Sequence, residues 1–219
     1  MDLSRKIIAI DGPSASGKGT VASRVAEQLG FDYLDSGALY RLTALYAQRK
    51  GVSWEDEESV AALARVLPVI FEAQKILLDG QDAGSEIRTE RIGMGASAIA
   101  RFPKVREALL NRQRSFLTEK GLVADGRDMG SVVFPEAGLK VFLTASAQVR
   151  AERRAKQIGI ACEGIEFDRI LSDIEARDEA DRRRAVAPLQ QLPEALLLDT
   201  SDMGIEEAVK KVIDWYAKI

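Results

Sequence analysis

An apolar run, Ile7-Ile8-Ala9-Ile10, leads directly through Asp11 into Gly12-Pro13-Ser14-Ala15-Ser16-Gly17-Lys18-Gly19-Thr20, and a helical pattern follows over Val21 to Leu29. This strand–loop–helix order constrains the chain more than any other feature, because such a loop can wrap backbone N–H groups around a polyphosphate. Glycines at its two ends let the backbone turn tightly and approach phosphate oxygens with no Cβ in the way. The helix N-terminus adds partial positive charge, and Lys18 a full one. The hydroxyl usual after the lysine is displaced: Gly19 follows Lys18, and Thr20 comes one place later. Every residue from Gly12 to Thr20 is therefore a candidate for the phosphates of a nucleotide.

Composition narrows the chemistry. The chain has 219 residues, 46% hydrophobic and 30% charged, enough for one sizeable α/β core with an insertion. A net charge of −3 argues against general nucleic-acid affinity, since no basic excess exists to neutralise a phosphate backbone. The lone cysteine, Cys162, excludes an intrachain disulfide and a cysteine-based zinc site. Residues 1–6 run straight into the first strand with no room for a signal peptide, and no apolar run approaches the roughly 20 residues that span a bilayer. The expectation is a cytoplasmic protein that uses neither membrane nor nucleic acid. Histidine is absent, so any general base is a carboxylate, a lysine or the substrate itself. Phosphoryl transfer tolerates that restriction, because it rests on positioning and charge neutralisation.

Short apolar runs alternate with helical patterns, the signature of a parallel sheet flanked by helices. Strands are predicted at 6–10, 33–34, 122–124, 141–143 and 196–198, and helices at 18–29, 37–49, 103–118, 147–157, 167–180 and 205–218. Val21, Ala22, Val25, Ala26 and Leu29 share one face of the first helix. Segment 67–101 breaks the rhythm. Val69-Ile70-Phe71 and Ile76-Leu77-Leu78 read as an antiparallel pair, Asp79-Gly80 as a turn, and 89–100 as a short helix. This is an insertion on the parent sheet and not a separate folding unit.

Ligands of open α/β sheets bind outside the carboxyl ends of the strands. The second strand ends in Asp35-Ser36-Gly37-Ala38-Leu39-Tyr40-Arg41, where Asp35 or Ser36 can cap a helix and Arg41 projects from its first turns. Alone this is an ordinary N-cap with a solvated arginine; beside the glycine-rich loop it favours a phosphate-binding one. The third strand ends in Ala124-Asp125-Gly126-Arg127-Asp128-Met129-Gly130. Asp125 has the placement of a carboxylate near a magnesium ion. Arg127 and Asp128 form either a structural ion pair or a phosphate grip beside a base-reading acid. From Arg150 to Arg184, eight arginines and one lysine face nine acids, so a solvated mixed-charge helix surface competes with a functional reading. Arg177, Asp181 and Arg184 share one face if their helix continues, and Arg150, Arg153 and Arg154 form a second cluster. An arginine-bearing flap over two nucleotides would exclude water and neutralise developing charge.

Taken together, Gly12–Thr20, Asp35–Arg41, Gly84-Ser85-Glu86-Ile87-Arg88-Thr89, Ala124–Gly130 and Arg184-Ala185-Val186-Ala187-Pro188-Leu189 resemble bacterial cytidylate kinases, in order and over nearly the whole chain. The Gly-Lys-Gly-Thr form of the loop is the one associated with nucleoside monophosphate kinases. The resemblance implies a P-loop kinase fold: a central parallel five-stranded sheet flanked by helices, an inserted monophosphate-binding subdomain and a helical lid. It divides a single domain into a core at about 1–66, 102–149 and 190–219, an acceptor-side insertion at about 67–101 and a lid at about 150–189. It implies ATP on Gly12 to Thr20, with Lys18, Arg127 and Arg184 in the catalytic set. Ser97, Arg106 and Asp128 would read cytosine, Tyr40, Arg177 and Asp181 would border the ribose, Arg41, Arg127 and Arg184 would hold phosphate, and Ser36 joins this acceptor set. Mg²⁺ would accompany ATP. Because Gly19 replaces the usual hydroxyl position, its holder is left open between Asp35 and Asp125, acting through water.

The implied reaction moves the γ-phosphoryl group of ATP to CMP or dCMP in pyrimidine nucleotide metabolism, and the default assembly is a monomer. A carboxylate at Asp128 accepts from cytosine's exocyclic amino group and repels the carbonyl that uracil presents there. A kinase for another acceptor is the nearest rival. A guanine-specific switch lacks its Asn-Lys-x-Asp element, since the only asparagine, Asn111, precedes Arg112. A nucleotide-binding scaffold without catalysis fits poorly with Lys18, Arg41, Arg127 and Arg184 together.

Overall fold

The computed structural model describes residues 3–72 and 75–219; Met1 and Asp2 of the leading segment, and Ala73 and Gln74 of the expected insertion, lie outside the described residues. The chain packs as two compact units, Met1–Leu34 with Phe116–Ile219, and Asp35–Ser115.

The first unit is built on strands β1 (Ile7–Asp11), β2 (Asp32–Asp35), β6 (Leu122–Gly126), β7 (Leu139–Thr144) and β8 (Leu196–Asp199), in the sheet order β2-β6-β1-β7-β8. β1 runs parallel to β6, with Ile7 opposite Leu122 and Asp11 opposite Gly126, and parallel to β7 on its other side. Every residue of β1 and β6 is buried, which is why both read as unbroken apolar runs with no alternation. Helices α1 (Lys18–Leu29), α6 (Ala147–Ile158), α7 (Ile165–Arg183) and α8 (Ile205–Tyr216) complete this unit. Val21, Ala22, Val25 and Ala26 of α1 enter a core with Ile8, Ile10, Val141, Leu143 and Val209. Among the described residues, no helix is long and apolar enough to cross a membrane.

The second unit holds α2 (Ser36–Arg49), α3 (Glu57–Arg65), α4 (Glu90–Ile99), α5 (Pro103–Arg114) and a small antiparallel sheet of β3 (Val69–Glu72), β4 (Lys75–Leu78) and β5 (Gln81–Asp82). The predicted antiparallel pair is present, with Val69 opposite Leu78. Leu42, Leu45, Val60, Leu78, Ile92, Ile99 and Leu109 make its core.

Three features differ from the periodicity. The helix predicted over 103–118 stops at Arg114, where the Ser115 hydroxyl turns back to the Arg112 carbonyl at 2.8 Å. Helix α3 was not among the predicted helices, although Asp56 caps it by accepting from the Ser59 N–H and acidic residues fill its first turn. Beyond β6 the chain makes a single π-helical turn, Met129–Val133, for which hydrophobic spacing carries no signal.

Close helix packing in the second unit depends on Gly95. A Cβ there would lie 2.6 Å from the Trp54 indole, and Trp54 is fixed by donating its Nε1–H to the Ala44 carbonyl of α2 at 2.9 Å. Gly95→Ala is expected to cost about 1–3 kcal/mol by overpacking, lowering the thermal midpoint by several degrees in a circular-dichroism melt. An unchanged midpoint would show that Trp54 gives way freely.

Candidate active site

The glycine-rich loop joins buried β1 to α1, and two of its glycines are sterically required. A Cβ on Gly12 would run into the Leu143 carbonyl of β7, and Gly17 adopts φ +88°. Ala15 is also left-handed, at φ 56°. Residues of opposite hand in succession turn their N–H groups into one concavity, the backbone basis of an anion nest.

Such a loop presents carbonyls to its surroundings, and cationic or hydroxyl donors meet them. Pro13 O accepts from Ser16 Oγ at 3.0 Å and from Lys18 Nζ at 3.1 Å. Ser14 O accepts from Arg150 Nη1 at 3.0 Å, and Ser16 O from Arg153 Nη1 at 3.3 Å. Arg153 also reaches the Thr200 carbonyl at 2.5 Å. Lys18 is buried, folded over the loop. The Ser14 hydroxyl is buried and has no hydrogen-bond partner among the described residues. It fits an anionic ligand with an oxygen to accept from it.

The predicted arginine cluster of α6 divides. Arg150 and Arg153 both brace the loop from behind, whereas Arg154 donates to Gln157 at 3.1 Å along the helix surface. Adjacent positions on a helix lie about 100° apart, so Arg153 and Arg154 flank Arg150 on opposite sides and separate.

The end of β6 carries the second group. Asp125 is buried and accepts from the Tyr33 hydroxyl at 2.9 Å, and its Oδ2 lies 3.8 Å from a Cβ built on Gly19. This carboxylate beside the first turn of α1 offers oxygen chemistry suited to Mg²⁺, which binds through one or two carboxylates, phosphates and retained water. Arg127 Nε donates to Asp181 Oδ2 of α7 at 2.8 Å, and Arg184 Nη2 lies 3.7 Å from Asp181 Oδ1. The helix continues through Arg183 with Arg184 at its C-cap, so Arg177, Asp181 and Arg184 do lie along one side. Burial opposes ionisation of Asp181, but Arg127, Arg184 and Arg177 outweigh it and hold the carboxyl below its ordinary value. Asp128 is buried at the start of the π-helical turn.

In the second unit, Asp35 supplies the helix cap, accepting from the Ala38 N–H at 2.9 Å, while the Ser36 hydroxyl donates to Gln113 Oε1 at 2.8 Å. Tyr40 is buried under the Arg106 guanidinium, 5.7 Å from the ring centroid, and Arg106 Nη1 donates to the Ala100 carbonyl at 3.0 Å. Arg41 Nη1 donates to the Ile87 carbonyl at 2.8 Å, and its guanidinium lies 3.1 Å from a Cβ built on Gly93. Ser97, one turn beyond Gly93 on α4, is exposed. Lys18, Arg127, Asp128, Arg177, Asp181 and Arg184 thus belong to the first unit, and Ser36, Tyr40, Arg41, Ser97 and Arg106 to the second.

Asp11 was passed over in the sequence. It closes β1 and accepts from both the Met129 and Gly130 N–H groups at 2.8 Å, pinning the turn that follows Arg127 and Asp128. An acid directly before Gly12 was the available signal. Burial pushes its carboxyl from 3.8 up to about 6 and the Asp128 charge adds to this, while the two N–H donors and Arg127 oppose it. The folded protein therefore binds this proton more tightly than the unfolded chain, and the group's contribution to stability falls as pH rises from about 4 to about 6. The stability difference between wild type and Asp11→Asn should shift against wild type by about 2 kcal/mol between pH 4.5 and 7 by linkage. Urea midpoints at pH 4.5 and 7 measure it, and a pH-independent difference would refute the raised value.

The family model described as "Cytidylate kinase" matches residues 8–218. A cytidylate kinase of Neisseria gonorrhoeae is 73% identical, covering 98% of this chain and 99% of that protein. One of Chromobacterium violaceum is 56% identical, covering 96% and 95%. Among solved structures, an uncharacterized protein from Eubacterium ventriosum is 12% identical with a TM-score of 0.52, covering 97% of this chain and 99% of that one, a likeness of fold alone. A glycine-rich loop with the backbone of an anion nest, arginines and acids at the strand ends and identity over nearly the full length converge: the chain belongs to the cytidylate kinase family.

Proposed function

We propose that the protein transfers the γ-phosphoryl group of ATP to the 5′-phosphate of CMP or dCMP, giving ADP and CDP or dCDP. The observation that carries the reading is the Arg127–Asp181–Arg184 set, a carboxylate between two guanidiniums on the same unit as the phosphate loop. Asp181 holds both cations at fixed positions while leaving a net positive charge for the acceptor phosphate. The nucleophile is an oxygen of an already ionised phosphate. It forms a bond to Pγ as the bond from Pγ to the β-bridging oxygen breaks, and no strong general base is needed. This suits a chain without histidine. The barrier is repulsion between two polyanions, and fixed charges lower it.

Lys18 follows the transferred group, and the loop from Gly12 to Thr20 holds the donor phosphates. Mg²⁺, bound with ATP, would neutralise charge on the β- and γ-oxygens, with Asp125 or Asp35 holding its water. Asp128 accepts from cytosine's amino group and Arg106 donates to its ring nitrogen and carbonyl, with Ser97 beside them. Uracil would leave buried polar groups mismatched. Tyr40, Arg177 and Asp181 border the ribose, Arg41 shares the phosphate, and Ser36 completes the acceptor set. Segment 67–101 serves as the acceptor-side insertion and 150–189 as the lid. The reading includes a monomer acting in the cytoplasm.

Two substitutions test these roles. Lys18→Ala is expected to lower kcat at least about 100-fold with the far-ultraviolet spectrum retained; near-normal turnover would remove Lys18 from the chemistry. Asp128→Ala is expected to reduce the CMP/UMP ratio of kcat/KM by about tenfold or more with little change in the KM for ATP. An unchanged ratio would show that Asp128 does not read the base.

A further inference from the structure

Arg150 and Asp178 are absent from the substrate-binding set above, yet both side chains are among the most buried charges of the first unit, each residue 3% exposed. Every nitrogen of the Arg150 guanidinium donates. Nε donates to the Ala145 carbonyl just beyond β7 at 2.9 Å, Nη1 to the Ser14 carbonyl of the phosphate loop at 3.0 Å, and Nη2 to Asp178 Oδ2 of α7 at 2.5 Å. A sheet edge, the phosphate loop and α7 meet at one side chain. Asp178 directly follows Arg177 and lies three residues before Asp181, so α7 is anchored by charge twice: at Asp178 to Arg150, and at Asp181 to Arg127.

Stability does not account for this arrangement, because well-packed apolar residues commonly replace a buried ion pair at no loss. Direction does. A guanidinium is a planar fork whose nitrogens address three acceptors at fixed angles, which a lysine ammonium on a flexible stem does not reproduce. The Ser14 peptide belongs to the loop that wraps phosphate, so a shift in that peptide moves the fork, and the fork moves α7.

We propose that Arg150 and Asp178 are positioning residues that couple the donor loop to α7, so that donor binding and the placement of Arg177, Asp181 and Arg184 are set together. This rests on the reading that the loop holds ATP and that α7 borders the acceptor. Coupling of this kind is reciprocal: whatever the donor does to α7, an acceptor held by α7 does to donor affinity.

Asp178→Ala alone would leave a buried guanidinium without its counter-ion and risks unfolding. The informative protein is the double variant Arg150→Met/Asp178→Val, which exchanges the pair for apolar side chains close to it in volume. Its thermal midpoint should fall by no more than the loss of the Ser14 and Ala145 carbonyl bonds requires, leaving the protein folded at assay temperature. Its Kd for Mg-ATP, measured by calorimetry without acceptor, should weaken about tenfold or more. Hydrogen exchange of the α7 amides should slow on adding Mg-ATP in wild type and not in the double variant, and kcat should fall at saturating substrates. Arg150→Lys, which keeps the charge but not the three-way contact, should show the same loss of coupling and covers the case in which the double variant does not fold. Wild-type ATP affinity and wild-type α7 protection in a folded variant would overturn the proposal, as would the absence of ATP-induced slowing in wild type. The ATP measurements need no acceptor, so a wrong acceptor assignment would show separately, as failure of wild type to convert CMP.

Discussion

A loop whose backbone turns its N–H groups into one concavity must find partners for the carbonyls it turns away, and in this protein those partners are cations of the first unit. Pro13, Ser14 and Ser16 offer the carbonyls; Lys18, Arg150 and Arg153 answer them. Burying cations against neutral carbonyls is costly unless their N–H groups find acceptors. Arg150 donates from all three of its guanidinium nitrogens, and Arg153 reaches Ser16 and Thr200.

The contacts close on themselves. From β1, Asp11 reaches the N–H groups of the turn after β6; from that turn, Arg127 reaches Asp181; along α7 lies Asp178; and Arg150 returns to Ser14, three residues from Asp11. Each link joins a charged side chain to a backbone group or an opposite charge, and none is a surface pair of two solvated side chains. The loop proposed for the donor and the residues proposed for the acceptor phosphate are therefore parts of one electrostatic framework. That is what phosphoryl transfer between polyanions requires, since the catalyst's contribution is charge fixed in advance.

The sheet was legible because β1 and β6 are buried on both faces and advertise it as unbroken apolar runs. α1 was legible to its ends because a glycine stands at each. The candidate site was legible where a motif keeps its residues within one turn, as in Gly12 to Thr20 and Ala124 to Gly130, which the fold sets at neighbouring strand ends. Asp11 and the Arg150–Asp178 pair escaped for a physical reason. Their partners are 118 and 28 residues away, and local spacing says nothing about such distances. In the region of near-balanced charge from Arg150 to Arg184, spacing also assigned Arg154 to the same cluster as Arg150, although only Arg150 and Arg153 face the loop.

The most direct measurement is a panel of acceptors. The purified protein, with Mg-ATP, is offered CMP, dCMP, UMP, AMP and GMP separately, and the diphosphate products are separated and quantified together with ADP. The account predicts CDP and dCDP at the highest kcat/KM, with one ADP formed for each diphosphate and UMP well below. Preference for a different acceptor, or ADP released without any nucleoside diphosphate, would contradict it.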